Sequence, residues 1–178
     1  SDYTPKIRHL DRQLEASGCR RLIYVSSTAV YGNQQGRVDE ASRPEPDSDA
    51  GKQLLEAEDL LLSRSGRATL VVRFGGLLGG ERHPVKYLSG RRDLPGGKDP
   101  VNLIHREDCI RILLKAVSEP GWTGVVNGVH PWHPGKAVYY RATAEALGLP
   151  PPHFREESAA SPGKQVNSRH PLLQEDQM

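Results

Sequence analysis

The stretch Arg21–Gly32, RLIYVSSTAVYG, decides how the chain is read. Leu22, Ile23, Tyr24 and Val25 form a run of β-branched, aromatic and aliphatic residues, the composition of a short buried strand. The run stops on three adjacent hydroxyls, Ser26, Ser27 and Thr28, and passes at once into a loop carrying Tyr31, Gly32 and Gly36. Hydroxyls at a strand end have two uses. They satisfy backbone groups where the ladder stops, or, in a parallel sheet flanked by helices, they stand where ligands bind beyond the carboxyl ends of the strands. Spacing alone leaves both open.

The flanking segments alternate. Upstream, Ile7, Leu10 and Leu14 are helically spaced, with Gly18 placed to stop the helix. Downstream, GKQLLEAEDLLLSRSG has Leu54, Leu55, Ala57, Leu61 and Leu62 at helical spacing before Gly66, and ATLVVRF (Ala68–Phe74) predicts a second strand. Ile110, Leu113, Leu114 and Val117 fall at i, i+3, i+4 and i+7 and are broken by Pro120-Gly121; GVVNGV (Gly124–Val129) predicts a third strand. KAVYYRATAEALGLPPP predicts a further helix closed by Gly148 and Pro150. This order predicts an α/β domain over residues 1–150, a parallel sheet with helices on both faces. From Pro151 the apolar periodicity is lost, so residues 151–178 are expected to form an extended or poorly ordered tail.

Composition narrows the class. A chain of 178 residues with 36% hydrophobic content can bury one ordinary core. The 24 basic residues against 22 acidic leave a net charge of +2, too balanced for a nucleic-acid footprint. Cys19 and Cys109 form no metal-type spacing, and no apolar run approaches bilayer length. These features predict a cytoplasmic protein with reduced thiols, no zinc and no membrane partner. His130 and His133 lie in a Pro-rich loop without a carboxylate or thiol nearby in sequence, so no metal is expected there either.

VSSTAVYG resembles the Ser/Thr motif of the extended short-chain dehydrogenase/reductase superfamily, the NAD-dependent nucleotide-sugar epimerases and dehydratases. LVVRFGGLLGG resembles the arginine-led strand and loop beside the nicotinamide, VNLIHREDCIRILLKAV the Ile-His…Asp strand-to-helix segment, and GVVNGVHP the late YNVG strand. More narrowly, SSTAVYG, GGERHP, VNLIHRED and LGLPPPHFR together resemble an atypical bacterial subgroup of NAD(P)-binding, epimerase-like proteins. The resemblance implies a Rossmann-like doubly wound parallel sheet that lacks, in this chain, the amino-terminal Gly-rich βαβ portion where the pyrophosphate is held. It also implies NAD or NADP as cofactor, a small-molecule hydroxyl substrate of sugar or nucleotide-sugar type, and room for a homodimer.

By the same resemblance Ser27 stands at the substrate-orienting Ser/Thr position and Lys52 at the lysine of YxxxK, which bonds the ribose. Ser26, Phe74, Gly75 and Gly76 are expected to flank the cofactor, and Thr28 and Tyr31 the substrate. The tyrosine position itself is occupied by Ser48, whose hydroxyl is far too weak an acid to serve as a phenolate base near neutral pH. Ser48 therefore reads either as part of a diverged catalytic site or as a helix N-cap, flanked as it is by Asp47 and Asp49. Other family features are absent. No Asn follows Arg73 at three residues, and Val101 replaces the arginine that precedes the Ile-His pair in many nucleotide-sugar enzymes. Residues 80–100 instead concentrate Arg82, His83, Lys86, Arg91, Arg92 and Lys98, either a solvated surface or a substrate wall for an anionic group, with Arg82, His83 and Arg91 as its candidate contacts.

Overall fold

The structure is a computed structural model that describes residues 3–156 and 163–170. Helix α1 (Tyr3–Ala16) leads through Gly18, in the left-handed region at φ 67°, into strand β1 (Arg21–Ser27). A 3-10 turn (Thr28–Val30) and the short strand β2 (Arg37–Val38) follow, then α2 (Asp49–Leu62) and β3 (Ala68–Phe74). Next come β4 (Gly76–Leu78), α3 (Val85–Leu88), β5 (Leu103–His105), α4 (Arg106–Ser118), β6 (Gly124–Gly128), α5 (Lys136–Ala146) and β7 (Gln165–Val166). The expected α/β architecture is the one observed.

The main sheet has three parallel strands in the order β1-β3-β6. Its register sets Ser26 beside Arg73 and Asn127, and Ser27 beside Phe74 and Gly128, so all three carboxyl ends finish together. Alternation then divides the side chains between two faces. Leu70, Val72 and Val126 pack with Cys109, Ile112 and Ala116 of α4, while Ser26 and Arg73 reach Glu58 of α2 on the other face. This is the doubly wound arrangement. Phe74 lies across Gly128, where a Cβ would overlap its ring, so a larger residue at that position would require the ring to shift.

Two outcomes differ from the sequence pattern. The stripe Ile110, Leu114, Val117 on α4 faces solvent, and the sheet is met by the neighbouring face instead. Val25 of β1, on the same side of the sheet, is also exposed, and among the described residues no strand pairs with the outer edge of β1. The second difference is the C-terminal segment expected as a tail. Residues 150–155 are hydrogen-bonded to the 90–94 loop through Gly90 to Pro150, His153 to Arg91 and Leu94 to His153. Strand β7 is extended as expected but built into the core: it pairs in parallel with β2, and Val166 is fully buried beside Val30, Tyr31 and Val129. Residues 157–162 and 171–178 of that segment lie outside the described residues.

Helix α1 is fixed to the opposite end of the sheet by one buried carboxylate. Asp11, 1% exposed, receives Arg64 Nε at 2.6 Å and Arg67 Nη2 at 2.8 Å. Burial alone would raise its pKa, but the hydrogen bonds and charges of the two guanidinium groups prevail and hold the carboxyl below its ordinary range. A shallow cleft lined by Glu15, Cys19, Arg20, Arg64 and Arg67 opens here, at the far end of the sheet from the strand-end hydroxyls.

Candidate functional site

The three strand-end hydroxyls have separate fates. Ser26 is buried behind the sheet and donates to Glu58 Oε1 at 2.5 Å, so its expected place against a cofactor is corrected: the α2 face of the sheet consumes it. Thr28 is buried too, its backbone carbonyl accepting from Lys164 Nζ and from Tyr31 N. Ser27 caps the 3-10 turn, its Oγ accepting from Ala29 N at 3.1 Å. A hydroxyl that accepts one bond still has its own proton to donate, and Ser27 is only partly buried, beside the strand ends of Phe74 and Gly128. Of the three, it is the one able to address a ligand.

Tyr31 is removed from the substrate contacts for a physical reason. It is fully buried, and its phenol accepts from Arg73 Nη1 at 2.8 Å while its single O–H is shared between Asp39 O at 2.9 Å and Asn127 Oδ1 at 3.2 Å. Burial holds its proton on against the opposing pull of Arg73 and Asn127, so it stays a neutral phenol. Arg73 in turn grips Glu58, Nη2 to Oε2 at 2.6 Å and Nε to Oε2 at 3.0 Å, with the carboxylate 0% exposed. The line Ser26–Glu58–Arg73–Tyr31–Asn127 is a continuous buried polar network passing under the strand ends. Fully paired, it rigidifies the floor of the crevice.

The two residues at the YxxxK positions lie on the first turn of α2. Ser48 is its N-cap and accepts from Gly51 N at 3.1 Å, which accounts for the residue without a catalytic role. Lys52 extends into solvent, its side chain 62% exposed and its Nζ 3.8 Å from Asp49 Oδ1. Gly51 between them is buried against Ala29, whose carbonyl oxygen would collide with any Cβ there. The start of α2 is thus pressed directly onto the Ser27 turn.

Phe74, Gly75 and Gly76 form the adjoining wall. Gly75 N donates to Gly128 O at 2.9 Å and Gly76 N to Asn102 O at 2.8 Å, and a Cβ on Gly75 would stand 2.7 Å from Asn102 O. Glycine is required here for backbone approach. The basic segment is held further along the chain. His83 Nδ1 accepts from Val85 N at 3.1 Å, which leaves Nε2 to donate to Tyr139 Oη at 3.3 Å over a stacked pair with ring centroids 6.0 Å apart. Burial, helped by Lys86, lowers the His83 pKa and keeps the ring neutral, so it is not the cationic contact an anion-binding wall calls for. Arg82 and Arg91 are exposed, with Arg82 backbone bonded to Gly79 and Arg91 to Leu88 and His153.

Sequence reasoning missed several residues that build this region. Glu58 falls on the core face of α2 with Leu54, Ala57 and Leu61, so helical spacing was a usable signal. Lys164, Asn102 and Glu40 act through bonds to distant backbone and left none. Glu40 Oε1 accepts from Asn127 N at 2.8 Å and Ser168 Oγ at 3.0 Å, tying the free edge of β6 to the C-terminal segment. His133 donates Nδ1–H to Val101 O at 2.9 Å, and burial keeps it neutral. Among the described residues, no group of three or more His, Cys, Asp or Glu is arranged to hold a metal ion, and no helix is long and apolar enough to cross a membrane.

No family profile matches the chain. It is 34% identical over 165 residues to Protein YeeZ of Escherichia coli K12, an alignment covering 93% of this chain and 60% of YeeZ. The chain therefore spans about three fifths of the curated relatives it matches. A functionally unknown conserved protein from Silicibacter pomeroyi superposes with a TM-score of 0.75 at 25% identity, over 92% of this chain and 64% of that one. MoeE5, solved with UDP-glucuronic acid and NAD, gives a TM-score of 0.76 at 22% identity over 92% of this chain and 60% of its own. The human epimerase family protein SDR39U1, solved with NADPH, gives 0.71 at 22% over 85% and 55%. The chain thus shares the fold of these proteins over most of its length.

Proposed function

We propose that this chain forms the nicotinamide and substrate side of an NAD(P)-dependent protein of the epimerase/dehydratase type. The observation that carries the reading is the shared finish of β1, β3 and β6, which sets Ser27, Phe74 and Gly128 side by side with Gly75 immediately beyond. That is the crevice where open α/β sheets bind ligands. NAD and NADPH in MoeE5 and SDR39U1 support the cofactor class. The cofactor, when bound, would supply hydride transfer. Ser27 would donate to a substrate hydroxyl, Phe74, Gly75 and Gly76 would flank the nicotinamide, and Lys52 would swing from solvent to the ribose. The open edge of β1, with exposed Val25 and the apolar stripe of α4, fits the place of a Gly-rich βαβ unit that would hold the pyrophosphate. The substrate would be a small hydroxyl compound of sugar or nucleotide-sugar type, with Arg82 and Arg91 available to an anionic group.

A second reading is favoured by the first turn of α2. Ser48 is spent as a cap and Tyr31 is sealed, so neither supplies the phenolate that the family chemistry uses. On this reading the protein binds the dinucleotide as a sensor or interaction module without turning it over. Fluorescence titration of the complete gene product with NADH and NADPH, followed by a turnover screen of sugar nucleotides, separates the two. Turnover that falls at least tenfold in Lys52→Ala supports the enzyme. Binding without turnover, indifferent to Lys52→Ala, supports the sensor, and no binding of either dinucleotide rejects both.

A further inference from the structure

Both walls of the candidate crevice are tied to one short C-terminal segment. Lys164 Nζ donates to Thr28 O at 2.9 Å and to Tyr31 O at 2.7 Å, the carbonyls of the first residue and of the C-cap of the Ser27-capped turn. Its backbone N–H donates to Asn33 O at 2.9 Å, fixing the start of the following loop. Asn102 holds the same segment from the other side: Nδ2 donates to Lys164 O at 2.9 Å and Oδ1 accepts from Val166 N at 2.7 Å, in the manner of an added strand. The Asn102 backbone carbonyl meanwhile receives Gly76 N at 2.8 Å. Through these bonds the Ser27 turn and the Gly75–Gly76 wall are referenced to residues 164–166 as well as to each other.

A lysine in this position is costly. Burial lowers its pKa, opposed by the charge of Asp47 and reinforced by that of Lys136. An uncharged chain of similar length would fill the space without that penalty but could not hold two carbonyls. Charge-assisted bonds to the carbonyls of a tight turn restrict it more than neutral contacts do.

We infer that Lys164 is a positioning residue for the candidate dinucleotide site, fixing the turn that presents Ser27 to the nicotinamide end of the ligand. This rests on the NAD(P) reading above for its ligand, but its geometric content stands separately. The test compares wild type, Lys164→Met and Lys164→Arg in the complete gene product by hydrogen exchange and by titration with NADH and with ADP-ribose, which lacks the nicotinamide. In Lys164→Met, exchange of the peptide spanning Ser27–Tyr31 should rise about tenfold while α4 keeps its protection, and Lys164→Arg should recover part of the loss. NADH affinity should fall about tenfold with ADP-ribose affinity unchanged. Unaltered exchange at the turn, or loss spread evenly through the domain, overturns the proposal. So does an equal loss of NADH and ADP-ribose affinity, which marks a general structural role. If wild type binds neither ligand, the NAD(P) reading fails, and the proposal fails with it as a statement about that site, whatever the exchange shows of the turn.

Discussion

Helix α2 has two ends with opposite characters. Its first turn carries Ser48 and Lys52, the residues that align with YxxxK, and both are exposed to solvent. Its third turn carries Glu58, which no motif marks, completely enclosed between Ser26 and Arg73. The contrast teaches that the residues matching a catalytic pattern here carry little of the structure, while the floor of the crevice depends on an ion pair the pattern does not mention. Expected energies follow that order.

The largest effect belongs to Glu58→Ala, which strands Arg73 in the interior. Removing one partner of a buried pair costs about 3–5 kcal/mol, to be read as a lowered midpoint in urea unfolding. A midpoint within experimental error of wild type would mean the network is not the support of the strand ends.

Asp11 provides the same test in a second place and with pH as the variable. Its folded pKa is below its unfolded value, so its stabilisation is present above the unfolded pKa of about 4 and is lost as pH falls through the lower folded value. Wild type should therefore be more stable than Asp11→Asn at pH 6, with the difference shrinking as the pH approaches 2. A difference independent of pH would contradict the buried Asp11–Arg64–Arg67 cluster.

At the exposed end of α2 the expected changes are small. Ser48→Ala removes an N-cap and should cost about 1 kcal/mol of stability. Lys52→Ala breaks only a long exposed contact with Asp49 and should leave the unfolding midpoint where it was. A loss at Lys52 as large as that at Glu58 would reverse the comparison.

The same contrast explains what could be read in advance. The long strands and helices were legible because burial imposes a period on them: Ala68–Phe74 and Asp49–Leu62 stand where the apolar spacing predicts. Ser48 was legible as a cap because the flanking acidic residues and the helix start are local. The pairing of β2 with β7 was not, since two residues on each strand carry no period and the partners are distant in sequence. Spacing alone did not separate Ser26, Ser27 and Thr28, and only the resemblance singled out Ser27, because the bonds that hold Ser26 and the Thr28 carbonyl come from Glu58 and Lys164, distant in sequence. The α4 stripe was misleading for a related reason: both faces of that helix are apolar, and spacing does not say which meets this sheet.

The central claim is that the aligned ends of β1, β3 and β6 hold a dinucleotide without help from the Ser48 hydroxyl. NADH fluorescence titration of the complete gene product and of Ser48→Ala tests it most directly. Saturable binding in both, with dissociation constants within twofold of one another, is the predicted result. No binding in wild type, or binding abolished in a Ser48→Ala protein that remains folded, would contradict it.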